Sequence, residues 1–345
     1  MKKEIGLLVL FVVLCLTVCG IELIQQLRVI HEFQLAHPNE VAPVVQLPRF
    51  LSQANLTNTG NLIGLYGVFS LGLGLVIITG GIDLSVGSLC ALTGIILTMG
   101  VTEWHWSWQI ATLVVLAVSG LLGFTHGVLI TRGKLQPFIV TLCGLLLYRG
   151  IARFIAGDST KGFSGAEGIE PLRVFASGKL FGIPAPFAIL IVLSIVMWFV
   201  LHRSIYGRYL LAVGRNEQAA RFSGINTQLV TASAYVIAGL LTGISGIMIA
   251  FYTNSVGPSN HGNFYELYGI AAAVLGGCSL RGGEGSVVGI VIGTALLLVL
   301  QNLVNLLGIP SSLNFAVMGA VVLFGVLADQ LFKNRAAKKT VRAAK

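Results

Sequence analysis

The sequence predicts an all-α, polytopic membrane protein of about ten spans, and three observations carry that prediction. Of 345 residues, 55% are hydrophobic and 10% charged, with 43 glycines and a mean hydropathy of +0.87. Such a composition lies outside the range of soluble domains of this length. Runs approaching the roughly 20 apolar residues needed to cross a bilayer recur along the chain. The basic residues also sort the turns into two sides.

The expected spans, in order, are Ile5 to Ile21, Ile63 to Thr79, Ser85 to Met99, Ile110 to Ile130, Phe138 to Ile155, Pro186 to Leu201, Val230 to Tyr252, Leu267 to Cys278, Val287 to Leu307 and Phe315 to Leu331. Two of them are short or interrupted. Met1 to Gly20 also has the two-lysine start and apolar core of a signal peptide. Val18 is a poor fit to the small residue wanted before Cys19, so the segment is expected to stay as the first span. One membrane domain, 1–332, is followed by a basic tail, 333–345.

With Met1 placed in the cytoplasm, fifteen of the 22 basic residues fall at the N-terminus, in the even-numbered turns and in the tail, including Lys2, Lys3, Arg132, Arg203, Arg208, Arg215, Arg221 and Arg281. Seven, including Arg28, Arg49, Arg149 and Arg173, fall on the outer side. The positive-inside rule therefore puts both termini in the cytoplasm. The net charge of +9 follows from this topology and requires no nucleic acid.

Three segments interrupt the pattern of spans. Residues 22–61 hold Pro38, Pro43 and Pro48 and read as an extended outer loop ending in an interfacial helix at Leu47 to Asn61. Residues 157–185 are Gly-rich and read as a second outer loop. The third, 202–228, is a basic island between apolar runs: Asn216 can cap a short helix, Glu217 sits in its first turn, Arg221 follows at i+4 and Gly224 can close it in αL. A helix of about two turns does not persist alone in water and needs a surface to pack on. This island is either an ordinary connector or a docking element.

A faint repeat links GGIDLSVGSL (Gly80 to Leu89) with GGEGSVVGIV (Gly282 to Val291). Two halves of five spans would follow, the second inverted relative to the first, an arrangement in which broken helices surround a path. Gly80, Gly81, Asp83, Ser85, Gly87, Gly282, Gly283 and Glu284 are the candidate half-helix break or gate residues. Asp83, an acid in the membrane, either caps the following half-helix or meets substrate. Tyr66, Ser70, Tyr235, Thr242, Tyr252, Asn302 and Asn305 offer hydroxyls and amides suited to a neutral polyol in a translocation path, or else bond one helix to another. Gly239, Gly243 and Gly246 allow helices to approach closely.

His126 reads as a satisfied core histidine. Cys15, Cys19, Cys90, Cys143 and Cys278 show no metal-ligand spacing, so no metal is expected. The sequence contains no G-x-x-x-x-G-K-[ST], H-E-x-x-H or G-x-S-x-G. The chain is thus expected to bind no cofactor, to lack its own ATP site and to be no enzyme.

At GGIDLSVGS (Gly80 to Ser88), GRNEQAARFSGIN (Gly214 to Asn226) and YELYGIAAAVLGGCSLRGGEGSVVGIVIG (Tyr265 to Gly293), the sequence resembles the permease subunits of bacterial ABC monosaccharide importers. These include the ribose, xylose, arabinose, galactose and autoinducer-2 permeases, and the sequence resembles the ribose permease in particular. The resemblance runs from about Phe50 to Leu331. It implies a ten-span subunit of the inner membrane that pairs with a second permease subunit, two cytoplasmic ATPases carrying ATP and Mg, and a periplasmic sugar-binding protein. The family's coupling segment falls on Arg215, Asn216, Glu217, Gln218, Ala219, Ala220, Arg221 and Gly224, with Gln218 where the family has alanine. Residues 22–46 look longer than in the family. The rival expectation is a self-sufficient ion-coupled sugar carrier.

Overall fold

The computed structural model describes residues 2–310 and, beyond them, residues 313, 316, 317, 319, 320 and 323. Its helices are α1 (Lys2–Ala36), α2 (Gln53–Ile78), α3 (Val86–Thr102), α4 (Trp108–Thr131), α5 (Pro137–Ala156), α6 (Glu170–Ser177), α7 (Ala185–Trp198), α8 (Ile205–Arg215), α9 (Glu217–Phe222), α10 (Thr227–Thr253), α11 (Tyr265–Leu275) and α12 (Val287–Leu306). Strand structure among the described residues is confined to two short antiparallel pairs: β1 (Lys161–Gly162) with β4 (Ser255–Val256), and β2 (Lys179–Leu180) with β3 (Ile183–Pro184).

Among the described residues, seven helices are long and apolar enough to cross a membrane, and Val86–Thr102 and Tyr265–Leu275 are shorter apolar helices. These nine coincide with the first nine expected spans. Most of the tenth, Phe315 to Leu331, lies outside the described residues, as does the basic tail.

The first loop is shorter than expected. Helix α1 continues to Ala36 because nothing between Gly20 and Pro38 breaks it, and α2 begins at Gln53, so the interfacial helix expected at Leu47 to Asn61 is a 3₁₀ turn (Arg49–Leu51) plus the first turns of α2. Only 37–52 separates the two helices. The second loop carries α6 and the two strand pairs, and the basic island folds into two helices, α8 and α9, instead of one.

The chain divides into two compact units, 1–59 with 296–345, and 60–295. In the first, Val18, Phe50 and Val299 form a core against Phe11, Leu14, Cys15 and Cys19. Glu22 is buried and accepts the Phe50 amide at 2.9 Å, while Asn302 donates to Asn55 Oδ1 at 2.8 Å and to Thr59 Oγ1 at 2.5 Å.

The second unit is organised on α10, which packs on α4 and α3. Small residues make this possible. A Cβ on Gly239 or Gly243 would lie 2.4 Å from Ser119 of α4, and one on Gly246 2.3 Å from Thr93 of α3. Backbones therefore approach to a distance that any larger side chain would prevent, as dispersion packing between membrane helices demands.

Candidate functional site

Residues 79–85, between α2 and α3, form the first break. A segment without helical hydrogen bonds needs its carbonyls satisfied by protein where water is absent. Tyr235 Oη donates to Ile82 O at 3.4 Å and Thr141 Oγ1 donates to the same oxygen at 3.3 Å. Asp83 is buried, and its Oδ1 accepts from both Ser85 N (2.8 Å) and Ser85 Oγ (2.7 Å). The carboxylate thus fixes the entry to α3, while Ser85 itself makes no side-chain cap. Beside it, Tyr148 Oη and His126 Nε2 are 2.8 Å apart, so His126 has a partner in the core. Asp83→Ala is expected to lower the heat stability of the purified protein by about 1–3 kcal/mol, the cost of orphaning buried donors. Asp83→Asn keeps Oδ1 as an acceptor and is expected to lose much less, both read by thermal unfolding.

The basic segment is built as its sequence suggests. Ser204 Oγ accepts Gly207 N to start α8, and Asn216 Oδ1 accepts Ala219 N at 2.9 Å to start α9. Helix α9 closes with Ile225 N on Ala220 O and Gly224 N on Arg221 O, Gly224 standing at φ +84°. In this conformation glycine avoids the Cβ penalty. Of α9 only Ala220 is buried; Glu217, Gln218, Ala219 and Arg221 are exposed, as is Asn216 before it. Phe222 is 92% exposed, an apolar ring at the tip of a polar segment. In the sequence it stood out only as the one aromatic residue within the motif.

The far end of α8 touches both the first break and a second one, 276–286, between α11 and α12. Gly214 is wedged so that a Cβ there would meet Ile78 O at 1.8 Å and Gly283 N at 2.4 Å. Gly283 N donates to Ile78 O at 2.8 Å, and Arg215 Nε donates to Gly283 O at 3.4 Å. A Cβ on Gly282 would lie 2.7 Å from Gly214 O and 2.9 Å from Gly80 N. The structure therefore brings Gly80, Gly214, Arg215, Gly282 and Gly283 into one backbone knot. Gly81 lies instead against the Tyr235 hydroxyl, and the Glu284 carbonyl closes the α11–α12 turn by accepting Ser279 N at 3.1 Å.

A second meeting point lies at the N-termini of α3 and α11. A Cβ on Gly87 would meet Gly262 O at 2.0 Å and Glu266 Oε2 at 2.6 Å. Arg149 Nη1 donates to His261 O at 2.6 Å and to Pro258 O at 3.1 Å. Burial and the neighbouring Arg149 push the His261 imidazole down to about 4, so it adds no second cation there at neutral pH. The interruption that faces α3 is therefore 254–264, whereas the sequence repeat pairs the first break with 282–291. Glu266 and Arg149 were missed, although each is a charge set within an apolar run.

The path candidates separate. Ser70, Tyr235 and Thr242 are buried; Ser70 and Thr242 bond carbonyls of their own helices, and Tyr235 the first break. Asn302 joins α12 to α2 in the first unit, where Asn305 also lies. Tyr66 and Tyr252 keep exposed surface.

A family model described as branched-chain amino acid transport system / permease component matches residues 55–326. The chain is 37% identical to ribose import permease protein RbsC of Escherichia coli (strain K12), over 82% of this chain and 87% of that protein. It is 36% identical to RbsC of Bacillus subtilis (strain 168) over the same shares. It is 33% identical to fructose import permease protein FruF of Bifidobacterium longum, over 79% and 80%. No solved structure matches.

Proposed function

The chain belongs to the branched-chain amino acid transport system / permease component family, and from that premise we propose that it is the membrane subunit of an ATP-driven importer of a ribose-like monosaccharide. The names of its relatives, ribose and fructose import permeases, support sugar over amino acid as the cargo. A second permease subunit, two ATPases binding ATP and Mg, and a periplasmic binding protein complete the assembly. The chain lies in the inner membrane with both termini, α8 and α9 in the cytoplasm, consistent with the bias of its basic residues.

The observation that carries the mechanism is the backbone knot at Gly214. ATP binding and hydrolysis on the partner move α9, which presents Phe222 and Arg221 to it. Helix α8 carries the motion to 79–85 and 276–286, and the breaks switch between outward and inward access. Chemistry stays on the ATPase; this chain converts displacement into a change of access.

The test is sugar uptake by proteoliposomes holding the permease, its ATPase and its binding protein. Glu217→Arg reverses the charge at the positive end of α9, and Gly224→Pro cannot adopt φ +84°. Both are expected to reduce uptake and binding-protein-stimulated ATPase to background, with normal membrane insertion. Uptake by the permease alone under an ion gradient would overturn the assignment.

A further inference from the structure

Four aromatic rings from two helices converge in the second unit. Tyr66 and Phe69 of α2 stand opposite Tyr265 and Tyr268 of α11, with ring centroids 5.0 Å apart for Tyr66–Tyr265, 5.4 Å for Tyr66–Tyr268 and 6.0 Å for the stacked Phe69–Tyr265 pair. Gly269 sets this spacing, since a Cβ there would meet Leu73 at 2.4 Å and Phe69 at 2.9 Å. The cluster is not wholly core. From Ile63 to Ile78, Tyr66 alone is not fully buried, and Tyr265 is likewise half-buried. Beside them Tyr252 and Leu267 are exposed, and Phe264, with φ +67° and half its surface open, occupies a conformation that costs a bulky residue strain. Such strain persists where the surroundings impose it and gathers at ligand clamps.

We propose that Tyr66 and Tyr265, backed by Phe69 and Tyr268, form a shelf that takes the apolar face of a neutral sugar ring during its passage. The ring faces carry negative potential and attract the sugar's C–H groups, while the Tyr66 and Tyr265 hydroxyls, which hydrogen-bond each other, keep capacity for one further bond to a sugar hydroxyl. The shelf carries no net charge. The nearest charged groups are committed elsewhere, Arg149 to the carbonyls of Pro258 and His261, and Glu266 against Gly87. Arg149 and Glu266 already attract each other, so the shelf itself offers an amino-acid zwitterion no free charge, whereas a polyol needs none. Two ring faces contribute about 1–3 kcal/mol, enough to orient a sugar and too little to trap it.

The shelf rests on the importer reading, and the experiment separates the two. In proteoliposomes holding the whole complex, Tyr66→Ala and Tyr265→Ala are expected to lower D-ribose uptake about tenfold each, with binding-protein-stimulated ATPase retained. Tyr66→Phe and Tyr265→Phe, which keep the ring, are expected to retain most uptake. In the unmodified complex, a diazirine-bearing ribose is expected to label α2 or α11 at these rings, with unlabelled D-ribose competing. Labelling elsewhere, or normal uptake in both alanine variants, overturns the shelf and leaves sugar import standing. No D-ribose or other monosaccharide uptake by the unmodified complex overturns both.

Discussion

Gly214→Val is expected to stop sugar uptake altogether while the permease still assembles with its partners. The introduced Cβ would fall 1.8 Å from the Ile78 carbonyl oxygen and 2.4 Å from the Gly283 amide. Both are backbone atoms with no rotamer to give, so α8 must move away from both breaks by more than an ångström. Gly283→Val acts from the opposite side, against Arg215, and carries the added strain of φ +75°. The discriminating measurement is sugar transported per ATP hydrolysed. A severed lever lets the ATPase turn over without moving sugar, so this ratio collapses. Wild-type uptake in Gly214→Val would show that the knot transmits nothing.

Gly87→Val is the second large effect, and it acts on folding. Its Cβ would stand 2.0 Å from Gly262 O, a backbone atom of a glycine itself held at φ +73°. The two helix N-termini would be driven apart, Glu266 displaced, and the contact at the head of α3 lost. Overpacking of this kind costs about 1–3 kcal/mol in a core that can relax. This site has backbone on the facing side, so the loss is expected at or above the upper end. Thermal unfolding in detergent reads the effect. Gly6→Ala serves as the control, since nothing lies within 4 Å of Gly6. A melting temperature as high as that of the unmodified protein would show that the meeting point is soft.

Hydropathy made the described spans legible because a bilayer imposes one length and one polarity on every helix that crosses it. Asn216 and Gly224 were legible because a cap is local: its donor, acceptor and dihedral lie within a few residues. Long-range relations were less accessible. Gly80, Gly214 and Gly283 are distant in sequence, and each alone is one more glycine in a glycine-rich chain. Ser70, Thr242 and Tyr66 read alike in sequence, since a hydroxyl that bonds a carbonyl of its own helix and one that bonds a tyrosine of another helix have the same pattern. The interruption before α11 carried signals in Asn254, Gly257, Pro258 and Gly262, but the resemblance between Gly80 to Leu89 and Gly282 to Val291 drew attention to the following turn. Residues 22–36 fall within the loop expected from Pro38, Pro43 and Pro48, but those prolines all lie beyond them, and charges at helical spacing are compatible with a solvated helix.

Helix α7 does not pass directly into α8. It widens into a π-helical turn at Phe199–Arg203, and α8 doubles back so tightly that a Cβ on Gly207 would meet Leu201 O at 2.0 Å. Arg203 lies over the Trp198 ring at 5.2 Å, and Ser204 bonds to both sides of the turn. Helix α8 is therefore a beam with a pivot at Gly207 and its load at Gly214, roughly 10 Å along the axis, with α9 overhanging just beyond. On the proposed importer reading, coupling along α8 is reciprocal: what occupies the path is felt at α9, just as what docks on α9 is felt at the breaks.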